Sequence, residues 1–173
     1  MTTSTTSDTK VFELKPLSKD SIEASIEKAE HYRLLNQPLL AESICLDILL
    51  VSPDNERAST ILLLALTDQF AGSSSKAKQA MSIAKSLKDE YSRLYYSGII
   101  SERLGAAALK SGIPGCDFDA YEWYREAMEF FEEAEAVNKE DNSDPVLRWN
   151  TCVRIIMQYH LCERPAYNPS MLE

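Results

Sequence analysis

One spacing recurs along this chain and limits what it can fold into: a small residue, a larger one four positions on, and a third three positions after that. In the stretch "AMEFFEEAEAVNK" it is Ala127, Phe131 and Ala134. It occurs again as Ala41, Cys45 and Ile48, and as Ala77, Met81 and Ala84. On a helix these three positions share one face. Small side chains let two helices cross closely, and a large one beside them fills the space toward the next pair. A pair built this way leaves apolar surface that only a neighbouring pair covers. The expected fold is therefore all-α, a stack of antiparallel helical hairpins.

Turn signals divide the chain to match. A helix is expected from about Ser21 to Leu35, with Asp20 and Glu23 as its capping pair. A second runs from Pro38 to Val51, and "SPDN" (Ser52–Asn55) stops it and starts the third. The third contains "ILLLAL", apolar around its full circumference, which implies burial on several sides. "AGSSS" is a linker, with Ser74 or Ser75 capping a fourth helix over Lys76–Lys88. A fifth is expected over Glu90–Lys110, then a loop "SGIPGCDF", then a sixth over Asp119–Asn138. Asp144 is the expected N-cap of the last helix, with Pro145 at its first position. Residues 1–19 read as a disordered or extended tail, 20–162 as one repeat domain, and 163–173 as an extended tail.

With Ala29 and Tyr32 in "KAEHY", Gly98 in "YYSGIIS", Trp149 on the last helix, and Pro53 after the second helix, these residues resemble the tetratricopeptide repeat. The likeness covers roughly Ile22–Gln158 and extends to bacterial single-domain proteins of that family. It implies a right-handed superhelix of about three repeats, with the last helix closing the array. The chain departs from the pattern at Ser25, which stands in place of the first Trp. About two extra residues fall at "AGSSS" and about sixteen between the helices of the third repeat.

The net charge is −9, and the segment Cys116–Asp144 carries all of it, with eleven Asp and Glu against Arg125 and Lys139. Such a chain repels nucleic-acid phosphates and anionic membranes, so neither is an expected partner. Glu122, Glu126, Glu129 and Glu133 recur at helical spacing and read as a solvated face. The longest apolar run, Ile61–Leu66, is too short to span a bilayer. Four cysteines without paired spacing, and an N-terminus lacking a signal-like apolar core, suggest reduced thiols and a cytoplasmic location.

Little in the sequence points to catalysis. Cys152 and His160 on one helix stand about 12 Å apart, too far to share a zinc ion with Cys162. Cys116 sits beside Asp117 and Asp119, which disfavour a thiolate. Phosphate-loop and hydrolase motifs do not occur. Neither catalysis, nor a metal, nor a cofactor is expected.

The resemblance implies a concave groove lined by the first helix of each repeat. The positions carried over are Glu27, Glu30 and Arg33, then Ile61 and Leu64, then Tyr95, Tyr96, Ile99 and Arg103, and finally Asn150 and Arg154. This predicts an acidic rim, with Glu23 beside Glu27 and Glu30, and an apolar middle. The expected function is a non-enzymatic adaptor or scaffold binding a peptide or helix of another protein, basic with an apolar anchor. The alternatives are a small acidic chaperone for secretion substrates and a self-assembling structural subunit. The groove's other expected occupant is the chain's own tail, "AYNPSMLE", through Tyr167, Met171 and Leu172.

Overall fold

The structure is a computed structural model, and it describes residues 12–70, 74–138 and 142–165. Among these residues all regular structure is helical. A 3-10 turn, Lys19–Ser21, leads into α1 (Ile22–Leu34), α2 (Pro38–Val51), α3 (Glu56–Thr67) and α4 (Ser74–Ser86). Two longer helices follow, α5 (Glu90–Ser111) and α6 (Cys116–Val137), then α7 (Asp144–Gln158). Consecutive helices pack against each other, and α1 also touches α3, and α3 touches α5.

The caps explain where these helices begin. Asn55 accepts a hydrogen bond from Ala58 N at 2.9 Å, and Asp89 accepts one from Ser92 N at 2.8 Å. Each satisfies an amide that has no partner within its own helix. Two expected caps do not form. Ser21, not Asp20, occupies the N-cap of α1, and its hydroxyl donates to Ser18 O at 2.7 Å. Asp144 begins α7 with its amide donating to Asn142 Oδ1 at 2.8 Å, so the turn before the helix does the capping. The "AGSSS" linker lies mostly in residues 71–73, outside the described residues. Gly112 closes α5 in the left-handed region at φ 62°, and Gly115 opens α6 at φ 84°. Both conformations cost glycine little.

The sixteen extra residues of the third hairpin do not form a long loop. They lengthen both helices, so α5 and α6 run 22 residues each and pack along one another. Fully buried contacts hold them together. Ala120, Ala127, Phe131 and Ala134 are all 0% exposed. Ala41, Cys45 and Ile48 on α2 are equally buried, as expected. On α4 the register differs from expectation. Ala77 and Met81 are only partly covered, while Ala80, Ala84 and Leu87 form the buried row. The same spacing occurs three residues later, because α4 turns a different face to α3.

The helices enclose two linked cores. One lies among α1–α4 and one side of α5, and includes Ile26, Ile48, Leu63, Leu66 and Ile100. The other lies among α5–α7 and includes Tyr124, Phe131 and Cys152. Leu64 and Tyr96 pack against both cores.

Candidate functional site: the face of α1, α3, α5 and α7

The odd-numbered helices are tied side by side through ion pairs. Arg57 on α3 reaches back to α1, with Nη1 2.9 Å from Glu23 Oε2 and Nη2 3.2 Å from Glu30 Oε1. Asp68, just after α3, sits between Arg33 of α1 at 3.0 Å and Arg103 of α5 at 3.7 Å. Arg148 of α7 donates to both Glu102 oxygens on α5, at 3.2 and 3.1 Å. The Arg57 pairs are exposed, so solvent screens them and each adds little stability. The Glu102 pair differs, since its carboxylate side chain is 11% exposed. Removing its partner would leave a buried charge uncompensated.

This network changes the expected groove. Glu30 faces its neighbour's arginine, so the acidic rim is partly neutralised; Glu27 remains exposed. Arg33 and Arg103 are engaged with Asp68. Ile61 and Ile99, at 6% and 2% exposed, belong to the core and offer no contact surface. Leu64 and Tyr96 are partly covered where the two cores meet. Burial, reinforced by Tyr95, also pushes the Tyr96 hydroxyl pKa up. The anticipated apolar middle is thus mainly interior, because these residues hold α3 against α5.

Tyr95 keeps an open side. Its ring stacks on Tyr91 at 5.6 Å between centroids, meets Tyr96 edge-on at 5.4 Å and lies 5.9 Å from Phe131. These contacts fix its orientation. Beside it, between α5 and α7, is a shallow hollow of about 290 Å³ lined by Tyr95, Asp144, Leu147, Arg148 and Thr151. Leu147 is 60% exposed there. A larger hollow of about 430 Å³ lies where α5 begins, lined also by Val137, Asn138 and Asn142, with Asn142 donating to Tyr91 Oη at 2.9 Å.

On α7 the expectation named Asn150 and Arg154. Asn150 is half-buried and Arg154 exposed, and neither lines the hollow. The residues toward α5 are Asp144, Leu147, Arg148 and Thr151, one helical stripe. Asn150 and Arg154 fall to one side of that stripe on the same helix. Trp149 turns to α6 instead, and its indole donates to Glu132 Oε1 at 2.8 Å.

The acidic helix is also less uniform than expected. Glu122, Glu129 and Glu133 are exposed. Glu126 is half-buried and accepts a hydrogen bond at 2.7 Å from Ser101, which is 0% exposed. It is therefore a contact between α5 and α6, not part of a solvated face.

Burial pushes the thiols of Cys45 and Cys152 up to about 12, with Glu30 adding to the first and Glu102 to the second. Cys162 and His160 are exposed beyond α7. Among the described residues there is no group of three His, Cys, Asp or Glu arranged to hold a metal ion. No described helix is long and apolar enough to cross a membrane. The tail 166–173, the other occupant expected for the groove, lies outside the described residues. The chain reaches it past Arg164, whose Nη2 is 2.5 Å from Asp119 Oδ1 and whose guanidinium lies over the Phe118 ring.

No family model, curated protein or solved structure matches the chain.

Proposed function

We propose that the chain is a non-enzymatic interaction module of the tetratricopeptide kind, a superhelix of hairpins that binds a segment of another protein along α1, α3, α5 and α7. The observation that carries this reading is the open hollow between α5 and α7, where Tyr95 and Leu147 stand beside Arg148, Asp144 and Thr151. A tyrosine already held by Tyr91, Tyr96 and Phe131 gives contact area with little further loss of freedom. The ion pairs linking the four helices fix the face before a ligand arrives, which lowers the cost of ordering it. The ligand chemistry that fits is a leucine, phenylalanine or tryptophan anchor beside one or two lysines or arginines. Asp144 and Glu27 would steer those cations and set the direction of the segment, affecting on-rate more than affinity.

The test is a panel of immobilised peptides, each pairing one large apolar residue with one basic or one acidic residue. The wild-type chain should select the basic set. The Leu147→Glu, Thr151→Arg variant, which changes exposed or half-buried positions only, should lose about tenfold in affinity, or roughly 1.4 kcal/mol. Undiminished binding by that variant, still folded, would remove the hollow from the mechanism.

A further inference from the structure

Among the described residues, α2 carries four exposed leucines, away from the face just described. Ala41, Cys45 and Ile48 bury one side of that helix. Leu39, Leu46 and Leu50 form a stripe on the opposite side at seven- and four-residue spacing, and are 68%, 48% and 69% exposed. Helix surfaces that meet water normally carry charge there. The end hairpin of a helical stack normally presents a polar outer face for the same reason.

The stripe is a ridge between two shallow hollows. On one flank Leu50 shares a hollow with Leu14, Lys15, Pro16, Leu17 and Asp47. On the other, Leu46 shares one with Leu62, Leu66 and Ile83. A ridge with a groove on each side fits another copy of itself, ridge into groove, when two such helices cross. A two-fold axis through the crossing would use the same surface on both partners.

Charge points the same way. The net charge of −9 sits in Cys116–Asp144, so α6 and the turn after it are the surface that repels a second copy. This region is close to neutral. Glu42 is paired with Lys76 and accepts from Gln69, and Asp47 shares its hollow with Lys15. Leu39, Leu40, Leu46 and Leu50, together with Leu14, which shares a hollow with Leu50 and is 80% exposed, are the apolar residues concerned.

We infer that the outward face of α2 is the contact surface for a second copy of this chain, giving a two-fold dimer whose α5–α7 hollows remain open. The test uses the full chain. Sedimentation equilibrium over a concentration series should give twice the chain mass for the wild type. The Leu46→Glu, Leu50→Glu variant should give the single mass with an unchanged far-ultraviolet helix signal. A Leu50→Cys variant in a Cys162→Ser background should cross-link two copies on oxidation, whereas Leu147→Cys in the same background should not. A monomeric wild type at every concentration overturns the inference. In that case a Leu50→Cys thiol open to a labelling reagent shows the ridge uncovered in the isolated chain. A shielded thiol assigns it to another part of the same chain. A dimer that survives the double Glu substitution overturns the inference as well.

Discussion

Gly98 and Phe131 share one space: a Cβ built on Gly98 would lie 2.5 Å from Phe131 Cε1. Seven residues further along α5, Gly105 stands against Tyr124, seven residues earlier on α6, with a Cβ 2.9 Å from the ring. Two glycines and two rings thus set the antiparallel register of the longest hairpin.

Replacing Gly98 by Ala should destabilise the fold. Alanine in a helix interior normally gains about 0.5–1 kcal/mol over glycine. Here the added methyl meets a ring that is 0% exposed and has no room to retreat, so overpacking at about 1–3 kcal/mol wins. Denaturant unfolding measures the difference. Adding Phe131→Leu to the Gly98→Ala variant should recover part of the loss, since the smaller side chain vacates the clash.

The acidic face separates by position. Ala127→Leu should cost about 1–3 kcal/mol by the same overpacking. Glu126→Ala removes the acceptor of buried Ser101 and should cost about 1–3 kcal/mol. Glu129→Ala, at an exposed site, should stay within about 0.5 kcal/mol. Thermal melts of the three variants check this, and a Glu126→Ala loss no larger than that of Glu129→Ala would contradict the assignment of Glu126 to the helix contact.

How much of this was legible in the sequence depended on the length of the pattern that carried it. The described helices could be read because their apolar periods are broken at turn residues such as Pro38, Asn55 and Gly112, and α2 begins and ends where expected, at Pro38 and Val51. Phe131 and Gly98 could be found because their residue types are unusual at those spacings. Tyr124 stands seven residues before Phe131 on the same face of the expected helix, so its burial was legible too, but its partner Gly105 lies on another helix and nothing local announces that contact. The groove residues suffered most. Ile61 and Ile99 were placed on the correct helices, but whether an isoleucine faces solvent or the next helix is decided by tertiary packing. The Arg57, Asp68 and Arg148 pairings join residues 27 to 46 positions apart in the sequence, and nothing local announces them.

Acid should weaken the α2–α4 contact through Glu42. Partial burial acts to raise its pKa, but hydrogen bonds from Lys76 and Gln69 and the lysine's charge outweigh that, and the folded value is lowered. A lowered carboxylate pKa gives stability that is present above the ordinary carboxylate range and is lost as pH falls through the folded value. Melting temperature followed on acidification should therefore fall less steeply in Glu42→Gln than in the wild type. Parallel acid limbs would contradict it.

Thiol reactivity should split the four cysteines. Cys45 and Cys152 are buried and held near 12, so at neutral pH they should label only on unfolding. Cys162 is exposed and should label at once, with half-buried Cys116 after it. Mass spectrometry after timed alkylation gives the order, and early labelling of Cys152 would mean that α7 is not docked.

Amide shift mapping of a bound peptide tests the central claim most directly. A peptide selected for one basic residue beside a leucine or tryptophan would be titrated into the isotope-labelled chain. The account predicts shifts concentrated at Tyr95, Leu147, Arg148 and Thr151, fading along α3 and α1, with α2 and α4 unmoved. Shifts confined to α2 and α4, or to the exposed carboxylates Glu122, Glu129 and Glu133 on α6, would contradict it.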